Sequence, residues 1–197
     1  MSKAYPSNLT RDQYELLSDM IPEAKRGGRK REVDMWEIRN AIFYILVEGV
    51  RWRALSGDFP AWQTVYTYFR NWRQDGTWLK IHDSLREWMR IEIQRYKSPS
   101  EAIIDSQSVK SAAMAHQSVG YDAGKKIKGR KRFLSVDTLG LVLRILVTAA
   151  SLGEREGGKQ VLITINKDIG DILQRPCGIT TVVYFTCFST SFLNPYP

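Results

Sequence analysis

The apolar run Ala102-Ile103-Ile104 ends at Asp105 and opens into the polar cluster Ser106-Gln107-Ser108. A carboxylate delivered by a buried strand into polar surroundings suits a hard divalent cation, which prefers oxygen ligands. Phosphoryl chemistry with two such ions needs several carboxylates converging on metals about 3.5–4 Å apart, one ion activating the attacking oxygen and the other the leaving oxygen. Taken by itself, Asp105 also reads as an aspartate capping a loop. Asp137 precedes Thr138-Leu139-Gly140 and reads as a turn residue. His82 and His116 stand apart from any serine or cysteine in a nucleophile arrangement, so neither is given a catalytic role. Cys177 and Cys187 lack metal-ligand spacing and read as free thiols.

Two basic segments point to a different chemistry. Lys25 to Arg31, KRGGRKR, supplies Arg26, Arg29, Lys30 and Arg31 around two glycines. Gly124 to Arg132, GKKIKGRKR, supplies Lys125, Lys126, Lys128, Arg130 and Lys131. Both read as glycine-spaced basic loops suited to a phosphate backbone, the alternative being solvated surface turns. The second lacks the closing Lys-Ser/Thr of a nucleotide-binding P-loop. The 197-residue chain has a formal net charge of +8 and a pI near 9.5, which favours an anionic partner such as nucleic acid. With 43% hydrophobic residues it can bury a core. It shows no charged-then-apolar leader at Met1 and no apolar run of about 18 residues, so a cytoplasmic protein without a membrane partner is expected.

The elements that must position these residues follow from periodicity. Leu9 to Tyr96 is helical in pattern and broken by turn signals. Thr10 is placed to cap a first helix that ends near Pro22. Asp34 is placed to cap a second, with Met35, Ile38, Ile42, Tyr44, Ile45 and Leu46 facing the core and Gly49 ending it. A short helix from Arg51, a turn at Ser56 to Pro60 and a longer helix from Trp62 to Gln74 have helix-turn-helix proportions. In that longer helix Trp62, Val65, Tyr66, Phe69 and Trp72 can pack inward. The other face keeps Gln63, Thr64, Thr67, Arg70, Asn71 and Arg73, side chains able to reach base edges and phosphates. A last helix, Trp78 to Tyr96, would bury Leu79, Ile81, Leu85, Trp88, Met89 and Ile93, and Ser98-Pro99-Ser100 marks a boundary. Beyond it the pattern predicts a short strand at Ala102 to Ile104, a polar loop to Arg130, a β-hairpin of Arg132 to Asp137 with Leu141 to Ala149, and a helix from Glu154 to Ile165. The expected fold class is α+β: an all-α domain at 1–97, then an α/β domain at 98–175. The segment 176–197 has no Lys, Arg, Asp or Glu and reads as an aberrant, aggregation-prone tail.

The ordered set LTRDQYELL, RGGRKREVD, WRAL, DFPAWQTVYTYFRNWRQDGTW, IIDSQSVK and GRKRFLSVDTLGLVL resembles the bacterial insertion-sequence transposases of the insertion sequence 5 group, of the 402-like kind, over Leu9 to Lys159. The resemblance implies an N-terminal domain that binds double-stranded DNA at the element's terminal inverted repeats. It also implies an RNase H-like DDE domain that cuts and rejoins DNA with Mg²⁺ or Mn²⁺. The family's first catalytic Asp, a metal ligand, falls on Asp105. The second Asp, in a Trp-Ala-Asp-Gly-Gly-Tyr-like segment, and the Glu, in a Val-Glu-Arg-like segment, have no match. Thr186-Cys187-Phe188 stands where the second would follow the strand Ile179 to Phe185, and the spacing of Glu154, Asp168 and Asp171 makes none of them a replacement.

The chain is therefore expected to be C-terminally truncated or frameshifted, with a partial RNase H-like domain, and not to bind the metal stably or act alone. Two other functions remain open from the sequence. One is a non-catalytic DNA-binding regulator that occupies element ends and modulates an intact transposase; the other is the first frame of a frameshifted transposase. In each case the resemblance implies a nucleoid-associated protein, with a homo-oligomer or an intact transposase as the protein partner.

Overall fold

The computed structural model of the chain describes residues 4–23, 31–112 and 117–169. It is a mixed α+β protein whose compact units divide between Leu85 and Arg86. The expected basic segment Lys25 to Arg31 up to its last residue, His116, the cysteines and the 176–197 tail lie outside the described residues.

The first unit is helical. Helix α1 (Arg11–Ser18) begins where Thr10 forms a reciprocal capping box with Gln13. Helix α2 (Met35–Glu48) begins at Asp34, whose side chain accepts from the Trp36 N–H, and it ends at Gly49 in the left-handed conformation, φ 66°. A single 3₁₀ turn, Trp52–Ala54, leads to α3 (Trp62–Gln74). Ile38, Ala41 and Ile42 of α2 bury against Val65 and Trp72 of α3 and against Phe59 in the connection. Trp78, at the start of α4 (Thr77–Glu92), packs against this cluster, tilted to the Phe69 ring and edge-on to Trp72, and donates from Nε1 to the Phe69 carbonyl. Two buried polar residues of α2 reach back to the N-terminal segment: Arg39 donates to the Tyr14 carbonyl, and Asn40 Oδ1 accepts from the Leu9 N–H.

Three expectations change here. The short helix from Arg51 is only the 3₁₀ turn, and the segment 55–61 that joins it to α3 is longer than the roughly 3–4-residue turn of a helix-turn-helix. Leu46 is exposed, because the α2 stripe facing α3 is already filled by Ile38, Ala41, Ile42 and Ile45. Helix α4 stops at Glu92, with Gln94 at φ 59°, and of its expected core positions Leu79, Leu85, Trp88 and Met89, together with Ile93 beyond its end, are exposed, leaving Ile81 buried.

Among its described residues the second unit holds the end of α4, a four-stranded antiparallel sheet and a helix after it. Strand β3 (Ile127–Val136) is central; β1 (Ile103–Lys110) and β4 (Val142–Ala149) flank it, and β2 (Gly120–Asp122) pairs with its first residues. The β3–β4 hairpin turns at Asp137 to Leu141 as expected, with Gly140 at φ 78°. Helix α5 (Glu154–Ile169) covers one sheet face, where Ile104, Phe133 and Leu143 meet Val161 and Ile165. The expected loop from 105 to 130 is mostly sheet. Strand β1 runs on past Ile104 to Lys110, and β3 begins at Ile127. The Ser and Gln that read as loop are strand residues paired in register with β3, Ser106 with Phe133, Gln107 with Arg132 and Ser108 with Lys131.

Candidate nucleic-acid interface and carboxylate site

Helix α3 separates its faces cleanly. Val65 and Trp72 are buried, while Gln63, Thr67, Arg70, Asn71 and Arg73 are exposed and Thr64 is half-buried. Gln63, Thr67, Arg70 and Asn71 lie at helical spacing, so they form one polar and cationic stripe, with Thr64 and Arg73 at its margins. Thr67 spends its hydroxyl on the Gln63 carbonyl. Tyr66, expected inward, is 38% exposed and sits edge-on to Trp52 at the margin of the core. Arg31, at the start of a described segment, donates to the Pro22 carbonyl and lies over the Tyr68 ring, 5.8 Å from its centroid. Arg26, Arg29 and Lys30 lie outside the described residues.

In the second unit the basic segment 124–132 divides by strand alternation instead of acting as one loop. Lys126, Lys128 and Arg130 are exposed. Lys131 is not available to a phosphate: it is 4% exposed, ion-paired with Asp122 at 3.0 Å and hydrogen-bonded to the Leu152 carbonyl. Lys125 is partly committed, donating to the Ser106 carbonyl and pairing with Glu154 at 3.4 Å.

Asp122 was not singled out by its sequence context. It is 8% exposed and accepts from Ser108 Oγ at 2.6 Å and from the Gly124 and Lys125 N–H groups at 3.1 Å each. The Ser108 bond, then the Lys125 N–H and the Lys131 ammonium, hold its carboxyl well below the usual carboxylate range against the opposing cost of burial. Ser106 Oγ donates to Glu154 Oε1, fastening β1 to α5 on the same face. Asp137 is likewise structural: its Oδ1 accepts the Leu139 and Leu141 N–H groups, and its Oδ2 pairs with Arg90.

Asp105 is the third residue of β1, opposite Leu134, and not at the strand's carboxyl end. Ile104 and Ser106 are buried on the α5 side, so alternation turns Asp105 to the other face, with Leu134 and Ile145 beside it. Its Oδ1 is buried and has no hydrogen-bond partner among the described residues. An unpaired oxygen of this kind suits a cation. A two-ion centre needs more, and no group of three or more His, Cys, Asp or Glu side chains able to hold a metal stands among the described residues. The described residues therefore do not fit the full metal set, and no metal-dependent step is derived from them. Among them no helix is long and apolar enough to cross a membrane.

Comparison with known protein families finds two matches. Residues 9–82 match the family described as "Putative transposase of IS4/5 family (DUF4096)", and residues 96–182 match "Transposase DDE domain". Comparison with curated proteins and with solved structures finds no match. The first match spans α1 to the early part of α4, the second contains Asp105 and the whole sheet, and the two in tandem support an IS4/5-family DDE transposase.

Proposed function

We propose that this chain binds double-stranded DNA at the terminal inverted repeats of an insertion element, with 1–97 as the DNA-binding domain and 98–175 as part of an RNase H-like DDE domain. The observation that carries the proposal is the α3 stripe: Gln63, Arg70 and Asn71 exposed on one side, Val65 and Trp72 buried on the other. Such a stripe has Arg for guanine and Gln and Asn for adenine, which suits direct reading of base edges. The remaining exposed cations and the net charge of +8 add sequence-independent attraction. Asp105, with its buried and unpartnered oxygen, stands as the first carboxylate of the DDE set.

Among the described residues no group of three ligands forms around Asp105, and one carboxylate cannot position two ions, so the proposal for this chain by itself is binding without cleavage. A strand-transfer assay with purified protein, element-end DNA and Mn²⁺ tests that part. The expected result is no cleaved product; robust cleavage that disappears in Asp105→Ala would overturn it. Cleavage would leave the DNA-binding part standing, since that part depends on α3.

A further inference from the structure

The sheet face that carries Asp105 is the one α5 leaves open, and the strand register orders it into rows. Gln107 of β1 lies opposite Arg132 of β3, which lies opposite Val147 of β4; the next row along holds Val109 and Arg130. Asp105 occupies the row before, with Leu134. Residues two apart on a strand share a face and stand about 6.8 Å apart, so Asp105, Arg132 and Arg130 form a stepped line on one surface. At the far end of that line Val109, Lys110, Arg130, Arg132 and Val147 border a groove of about 300 Å³. The groove's lining contains three cations and no carboxylate, and all three are exposed. Arg132 is steadied by donating to Gln107 Oε1, and Arg130 by donating to the Gln117 carbonyl. Each guanidinium keeps further N–H groups for another acceptor.

We infer that this groove is a backbone-phosphate cleft, and that Arg130, Arg132 and Lys110 are positioning residues that lay a DNA strand along the sheet toward Asp105. The charge of the lining selects a polyanion, and the flanking valines give a sugar edge an apolar surface to lie on. Contacts of these cations to phosphates position a strand without reading its sequence, so the contribution proposed for the groove is independent of sequence. The inference rests on the DNA-binding reading and adds to it a second contact, remote in sequence from α3.

Fluorescence anisotropy of the full chain with a labelled duplex of arbitrary sequence, titrated across roughly 50 to 200 mM KCl, tests it. The double substitution Arg130→Gln with Arg132→Gln is expected to lower the magnitude of the slope of log K against log[salt] by about 2, and Lys110→Gln alone by about 1. Replacing both arginines by lysine is expected to restore the slope, because charge and not geometry sets counterion release. Lys159→Gln, an exposed α5 cation outside the groove, is expected to leave it unchanged. Unfolding temperatures of the variants, all at exposed positions, are expected to match the wild type. An unchanged slope in the glutamine variants, while Arg70→Ala with Arg73→Ala lowers it, would overturn the cleft and leave the α3 reading intact. A Lys159→Gln effect as large as that of Lys110→Gln would overturn the cleft too, as mere surface charge. Failure of the wild type to bind any duplex would overturn both readings together.

Discussion

Asp105 and Asp122 sit in the same sheet and illustrate opposite uses of a carboxylate. Asp122 has four donors around it and serves the fold; Asp105 has a buried oxygen with none. Removing Asp122 leaves the Lys131 ammonium buried without its counter-charge, so Asp122→Ala is expected to cost about 3 kcal/mol in a denaturant titration. The sign of its pH dependence follows from the lowered pKa. The stabilisation is present above the ordinary carboxylate range near pH 4 and is lost as pH falls toward the folded value. Acid unfolding followed by circular dichroism is therefore expected to be shallower in Asp122→Asn than in the wild type. Asp105→Ala predicts the reverse pattern. An unsatisfied buried acceptor costs about 1–3 kcal/mol, so its removal is expected to leave the unfolding temperature unchanged or raised. A marked drop would mean that Asp105 has a structural partner.

At this scale the sequence reveals side-chain types better than their surroundings. Asp105 is legible as a carboxylate following an apolar run, but Ser106, Gln107 and Ser108 look like loop because nothing local reveals that β3 supplies their backbone partners. For Asp122 only the turn onto the Gly124 and Lys125 N–H groups is local; its other donors, Ser108 and Lys131, come from other strands. Arg132 is hidden in a run of cations, and only the two-residue period of β3 separates it and Arg130 from the inward Lys131.

At the scale of elements, caps and periodicity are reliable because they are local. The Thr10 and Asp34 caps and the Gly49 terminus follow from residues within one turn, and the extent of α3 follows from a period sustained along its own length. The exposed apolar side chains of α4 do not, because a helical period identifies a stripe without saying whether anything covers it. Helix α5 offers a sharp test of packing against propensity. Glycine inside a helix ordinarily costs about 1 kcal/mol relative to alanine. Gly157, however, lies against the buried Phe133 ring, and an added Cβ would overlap that ring's edge atoms. Gly157→Ala is thus expected to destabilise by about 1–3 kcal/mol in chemical denaturation. For α3, Trp72→Ala is expected to cost about 3–5 kcal/mol, whereas Arg70→Ala and Asn71→Ala should lie within about 0.5 kcal/mol of the wild type while weakening DNA binding.

For the whole molecule, composition and motif order carry the most information. A net charge of +8 over 197 residues points to an anionic partner, and the two transposase matches fall in tandem on a helical unit and a sheet unit. The α+β class was legible because the change from helical to alternating period near residue 100 is a property of the chain and not of its packing. The division of the units inside α4 was not, since a helix continuous in sequence gives no local sign of where contacts regroup. The central claim is that the α3 face reads DNA at element ends. A gel-shift titration at fixed salt, comparing a terminal inverted repeat duplex with a scrambled duplex for the wild type and for Arg70→Ala with Asn71→Ala, tests it most directly. The account predicts a clear preference for the inverted repeat in the wild type, abolished in the variant while weak binding to both duplexes persists. Equal affinity of the wild type for the two duplexes, or an undiminished preference in the variant, would contradict it.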